Sequence, residues 1–499
     1  MKKIKFLSVI SLAIFVALGC KKSVLEVTDQ NTPTFKDVYS DGSSLVKVAG
    51  GLFNTIYVGE HAYNGVEMCL ATAADNVTCS WGNQAMRDMS WEPRNHAWDN
   101  SAAYSYAGIT EFTWAQMYGT IGVAANILQA IYGGTKIDNP GDEAMTRSVS
   151  RFTQGVAYGN LALLFDKAYV VDSLSSVHNP GYDNSSPYTS VANAALGYLD
   201  SAIAIASSSS FTIPASWFGT ASDMSSSDFV KLCNTCAARI LSYTPRNKTQ
   251  LQAVNWAKVK TYADAGITTD FSVVGDSYTN WYDEAGDYLT YDGWGLTDMY
   301  VVNLMDPTEP AHWDDSPTFP YPPVSTNPNA DKRLNTDFEY VSSNWLNPTR
   351  GYYHFSNYRS NRYDQLYISD IGPKPEIMKA ENDMLRAEAR AYTGDLAGAA
   401  AIINASTWKT RGGLPDVAAD LTSIVNAIHH ERFVEMYTTG MGLQFFEMRK
   451  LNLLQKGTPL HFPIPAQEMQ KFGQNPPYYT FGDLYSTEDG INTSNAGWR

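Results

Sequence analysis

Apolar residues recur at helical spacing in two long blocks of this chain, and between them lie stretches where that period fails. Ser43 to Tyr57 is a first amphipathic helix candidate. Thr110–Tyr132, Glu143–Phe165, Pro187–Ser207, Ser227–Tyr243 and Asn255–Ala265 follow, divided by Gly-, Pro- and Ser-rich joins. A last block holds Pro375–Tyr392, Asp395–Ala405 and Leu421–Tyr437, with Thr393-Gly394-Asp395 as the turn between the first two. Two regions break the pattern. Residues 65–106 carry Trp81, Trp91 and Trp98, and residues 267–373 are rich in Gly, Asp, Pro and aromatics with short strand-like pieces such as Tyr352–Phe355. The expected fold is mostly α, with packed helix pairs, long irregular insertions and a few short strands.

Leu385, Ala389, Tyr392, Gly394-Asp395 and Ala399 fall where a tetratricopeptide helix pair places its packing residues. No continuous period of about 34 residues runs through the chain, so the pairs are interrupted rather than stacked as a regular solenoid.

The N-terminus reads differently. Lys2, Lys3 and Lys5 precede an uncharged run from Phe6 to Leu18, the layout of a signal peptide and too short for a membrane span. Ala17-Leu18-Gly19-Cys20 resembles a bacterial lipobox, which makes residues 1–19 a cleavable signal and Cys20 the lipidated residue. Residues 20–41 then serve as a tether, and 42–499 form one domain, its helical scaffold at about 42–58, 110–266 and 375–437. No later stretch is long and apolar enough to span a bilayer.

A formal charge of -15 argues against nucleic acid, whose phosphates need clustered Lys and Arg, and against docking on anionic lipid heads. Cys69, Cys79, Cys233 and Cys236 are too few for a disulfide scaffold in a chain of 499 residues. Cys233-Asn-Thr-Cys236 has redox spacing but lies mid-helix with no preceding strand, so both thiols read as packing residues.

Catalytic signatures are missing. There is no P-loop, dinucleotide fingerprint or nucleophile elbow. His429-His430-Glu431-Arg432-Phe433-Val434 lacks the second zinc histidine where Val434 stands, and Glu431 and Glu435 read as structural. Asp283-Glu284 with Asp287 offers oxygen ligands for calcium, yet without an EF-hand pattern, and a solvated acidic loop is the favoured reading. No enzyme activity is expected.

Aromatics in the two irregular regions suit sugar capture: Trp81, Trp91 and Trp98 in one, and Trp281, Tyr282, Tyr291, Trp294 and Trp313 in the other. A pyranose sets its apolar C–H face on an indole or phenol ring, while Asp75, Arg87, Asn100, Asp283 or Asp292 bonds its hydroxyls. Taken singly, any of these rings serves equally to pin a long loop to the scaffold.

Trp114-Ala-Gln-Met-Tyr118 with Ile121 and Asn126, Leu385-Arg386-Ala387-Glu388-Ala389, Ile428 with Glu431-Arg432 and Glu435, and Pro463-Ile464-Pro465 with Glu468 together resemble the SusD/RagB-like outer-membrane lipoproteins. After the late helix that family shows Glu-Gly and a following Arg, where this chain has Thr439-Gly440-Met441-Gly442-Leu443. The resemblance implies four tetratricopeptide-like helix pairs and a lid on a SusC-like TonB-dependent transporter, delivering most often glycan. It also places the ligand site in loops of the two irregular zones, with Trp98 and Trp294 foremost. A peptide-capturing RagB-like lid and a purely structural lid are the alternatives. Outward orientation rests on the resemblance alone, since Lys21-Lys22-Ser23 lacks an early acidic run.

Overall fold

A computed structural model describes residues 39–79, 81–96, 98–171, 184–312, 323–342, 355–482 and 493–499. The expected signal, Cys20, most of the expected tether and Trp313 lie outside these residues, as do Tyr352–His354 of the expected strand piece.

The helical scaffold comprises α1 (Gly42–Ala49), α2 (Leu52–His61), α3 (Glu67–Ala73), α4 (Ala107–Tyr132), α5 (Pro140–Leu164), α6 (Tyr188–Ser207), α7 (Ser226–Tyr243) and α8 (Trp256–Asp264). Two short helices, α9 (Glu284–Thr290) and α10 (Met299–Met305), sit in the second irregular region. The late block is α11 (Lys379–Tyr392), α12 (Leu396–Asn404), α13 (Leu421–Val434) and α14 (Leu443–Lys450). In space α4, α5, α6, α7, α8 and α11 pack in succession, and α11 also meets α12 and α13. This is the expected mostly α, tetratricopeptide-like architecture.

Local chemistry sets the helix ends. Asn139 accepts the Gly141 N–H at 2.9 Å, Pro140 opens α5, and Asp142 and Glu143 lie in the first turn, beside the positive end of the helix. α5 approaches both α6 and α7 closely because it is glycine-notched. A Cβ on Gly155 would stand 2.6 Å from Leu199 of α6, and one on Gly159 would stand 2.3 Å from Ile240 of α7.

Residues expected to open the late helical block at Pro375 are extended instead. Ile371–Ile377 pairs antiparallel with Phe271–Asp276, and α11 starts only at Lys379. The pairing takes up Pro375 and Ile377, opposite Ser272 and Phe271, so the chain turns helical only beyond it. Elsewhere in the irregular regions Val77–Thr78 pairs with Leu296–Thr297, joining the first insertion to the second, and Phe338–Tyr340 pairs with Tyr358–Ser360. Cys233 and Cys236 are buried and unbridged, and burial raises the pKa of both thiols, consistent with packing residues. Among the described residues no helix is long and apolar enough to cross a membrane.

Buried ion clusters bind the late helices together. Glu388 of α11 accepts from Arg432 of α13 at 2.7 Å, from Lys450 of α14 at 2.6 Å and from Ser242 of α7 at 2.8 Å. Arg333, fully buried, reaches Asp331, Glu431 and Glu435 at 2.7, 2.6 and 3.0 Å. Glu431 and Glu435 are thus structural, as the sequence implied. His430 is held by Asp331 at 2.8 Å, and His429 by the Tyr300 hydroxyl at 2.7 Å.

Candidate functional site

The two irregular regions meet around α9. Asp283 caps this helix, accepting the Gly286 N–H at 3.0 Å. Because Ala285, Gly286, Leu289 and Thr290 face inward, Asp287 and Tyr288 are turned out. Tyr63, just past α2, donates its N–H to Glu284 at 2.7 Å and sets its ring 4.9 Å from that of Tyr288. Tyr288 in turn meets Trp294 at 4.7 Å, near edge-to-face. Trp81 joins this row by donating its indole N–H to the Gly293 carbonyl at 2.9 Å. The four rings are half-buried, and Tyr291 beside them is 59% exposed.

An amide rim borders the row. Asn83 donates to the Tyr63 hydroxyl at 2.7 Å, and the exposed Asn64 lies 3.4 Å from the side-chain amide of Gln84. Gln84 and Ala85 adopt φ of 48° and 59°, a left-handed conformation that L residues hold only under constraint. Amides offer donors and acceptors together, the pairing that a sugar hydroxyl needs. On the other flank of α9, Tyr282 donates to Asp287 at 2.7 Å and crosses Tyr278, itself 47% exposed, at 4.7 Å.

Several expected ligand residues are core. Trp98 is 2% exposed, with ring contacts to Tyr104 at 5.1 Å and Phe462 at 4.8 Å, and its backbone N–H donates to the Phe481 carbonyl. It has no open face for a sugar. Trp281 is buried against Phe53 and Tyr57, and a Cβ on Gly219 would come within 2.5 Å of its ring. Asn100 spends its amide on the Ile464 and Tyr479 carbonyls. Asp75 is buried in an ion pair with Arg94. Trp91 is half-buried and stacked on His96 at 4.6 Å, while Trp294, Trp81, Tyr282 and Tyr291 remain at the surface. Tyr63, Tyr288, Asn64, Asn83 and Gln84 were not singled out by sequence. For Tyr288 a signal existed, because the helical period of α9 turns it away from the centre of the buried face made by Ala285, Gly286, Leu289 and Thr290.

Asp283, Glu284 and Asp287 do not form a calcium loop. Asp283 is buried and taken by Lys374, Tyr367 and the cap, Glu284 holds the Tyr63 N–H, and Asp287 holds Tyr282. Under α9 lies a fully buried ionic core. His61 meets Glu376 through Nε2 at 2.7 Å, and through Nδ1 it meets Glu67 at 2.9 Å and Asp283 at 3.3 Å. The triads Glu60/His61/Glu376 and His61/Glu67/Asp283 bring their ligand atoms within 4.8 Å. With a carboxylate at hydrogen-bond distance on each ring nitrogen, the geometry is that of an imidazolium between anions rather than of a metal centre. Burial alone would lower the pKa of His61, but Glu376 and Glu67 outweigh it and hold it well above the usual value. Burial, reinforced by the Glu376 charge, pushes Glu60 up to about 7.

In fold, this helical scaffold is similar to solved structures of SusD superfamily proteins. The chain is similar in structure to a SusD superfamily protein from Parabacteroides distasonis, with TM-score 0.62 and 12% identity over 87% of this chain and 99% of that one. A SusD superfamily protein from Bacteroides vulgatus aligns with TM-score 0.59 and 13% identity over 86% and 97% of the two chains. A SusD-like carbohydrate binding protein from Bacteroides fragilis does so with TM-score 0.55 and 13% identity over 82% and 86%. No family model and no curated protein matches the sequence.

Proposed function

We propose that this chain is a non-catalytic, glycan-binding lipoprotein of the outer membrane, anchored through Cys20, facing the cell surface and serving a SusC-like TonB-dependent transporter. The observation that carries the glycan reading is the row Tyr63, Tyr288 and Trp294 with its rim of Asn64, Asn83 and Gln84. The carbohydrate-binding neighbour of the same fold supports it, as does the sequence resemblance at Trp114–Tyr118 and Leu385–Ala389. The lipobox supports the anchor. An open row of rings with few hydrogen bonds supplies about 4–8 kcal/mol, or millimolar to micromolar dissociation constants.

The test is retention of the detergent-solubilised protein on a panel of polysaccharides and, in parallel, on immobilised peptides. Glycan retention is expected, weakened at least about tenfold in Tyr288→Ala/Trp294→Ala, because aromatic anchors dominate such contacts. Retention by peptides alone would replace glycan with peptide as the cargo.

A further inference from the structure

A second recess shares no residue with this row. It lies between α13 and the segment after α12, has a volume of about 680 Å³, and is bordered by Tyr300, Trp408, Asp416, Ser423, Asn426 and His430. That volume is in the range of small-molecule sites, about 300–1,000 Å³. Trp408 forms its aromatic wall, its ring fixed by an indole N–H bond to the Pro415 carbonyl at 2.7 Å and by edge contact with His430 at 5.1 Å.

Helix α13 brings polar groups to the recess. Ser423, Asn426 and His430 recur along one face of α13 at spacings of three and four residues, so they stand one above another beside the recess. Asn426 is exposed and its amide has no partner among the described residues, leaving two donors and an acceptor at the edge.

Charge on the rim is already balanced. Asp416 is met by Lys409 at 2.6 Å, and His430 by Asp331, which also holds Arg333. Among the described lining residues an ionic ligand therefore meets only charges that are already paired, whereas a neutral ring with one apolar face and a hydroxyl edge meets an indole together with an amide and a hydroxyl. We infer that the recess between Trp408 and the Ser423–Asn426–His430 face of α13 is a second binding site, for a neutral saccharide. The inference does not require the Tyr63–Tyr288–Trp294 row to bind the same ligand.

The experiment is saturation-transfer NMR on the detergent-solubilised full chain with maltotriose, cellotriose and mannotriose, in the Tyr288→Ala/Trp294→Ala background, which disables the first row. Signal on at least one trisaccharide is expected to persist there. Adding Trp408→Ala should cut it about tenfold, and Asn426→Ala about threefold. Asn426 is exposed, so its variant carries the test if Trp408→Ala fails to fold by circular dichroism. Absence of signal in the background variant, or signal indifferent to the substitutions at 408 and 426, overturns the second site. Loss of signal through Trp408 and Asn426 while the first row proves unable to hold glycan leaves this inference standing and removes only the other.

Discussion

Among single residues, Glu60 is the one whose protonation most directly reports the ionic core beneath α9. Its carboxylate accepts from Asn160 and faces His61, Glu376 and Arg239, and burial drives its pKa from near 4.5 to about 7. The folded state therefore binds a proton that the unfolded chain releases between those values. Stability from this group is complete below about pH 4.5 and declines as pH rises through 7. Glu60→Gln should accordingly raise the urea midpoint at pH 8 more than at pH 5, by on the order of 3 kcal/mol in the difference. Asp283 moves oppositely, because Lys374 and His61 outweigh its burial and lower its pKa, so its contribution is lost below about pH 4. An identical midpoint shift at both pH values would show that Glu60 is not the group that titrates.

Gly219 is a second residue with a defined cost. Its φ of 64° and the Trp281 ring 2.5 Å from the position of a Cβ both oppose a side chain. Gly219→Ala should cost about 1–3 kcal/mol in urea unfolding and alter tryptophan fluorescence.

For the helices as elements, two glycines separate propensity from packing. Gly197, exposed on α6, has open space where a Cβ would go, so Gly197→Ala should gain up to about 1 kcal/mol. Gly159→Ala on α5 has the same propensity gain but drives a methyl into Ile240, and overpacking of about 1–3 kcal/mol outweighs it. Thermal unfolding of the two variants should move in opposite directions. The scaffold helices were legible because their period is local. α4, predicted at Thr110–Tyr132, spans Ala107–Tyr132, whereas the extended Ile371–Ile377 was missed because its pairing with Phe271–Asp276 lies about a hundred residues away.

That limit governs the site as well. Trp98 and Trp294 look alike in sequence, since each is an indole in an irregular stretch; Phe462 and Tyr104 bury one, and Tyr288 leaves the other at the surface. The charged motifs fared better as markers than as explanations. Glu388 in Leu-Arg-Ala-Glu-Ala and Arg432 in the late helix could be noted separately, but only the fold shows them bonded at 2.7 Å. Arg432→Met should cost about 3–5 kcal/mol, because Glu388 and Glu447 then stay buried with too little positive charge.

Across the whole molecule, the formal charge of -15 of the full sequence acts on any charged ligand before contact is made. Long-range repulsion of this kind fades over a Debye length of about 10 Å at 0.1 M salt. Polygalacturonate should therefore be retained less than neutral glycans at low ionic strength, and the gap should narrow as salt rises. A gap unmoved by salt would assign the preference to contacts rather than to the field.

Asp283 has two duties, capping the helix that presents Tyr288 and neutralising Lys374 and His61 in the core. Anyone engineering this protein inherits that coupling as a design rule. Positions 63, 64, 83, 288 and 294 can be randomised as a selectable library on a fixed backbone, because their side chains lie at the surface or its edge. Relocating α9 itself would demand a redesigned set of buried charges, so new specificities are reached most cheaply by exchanging rings and amides in place.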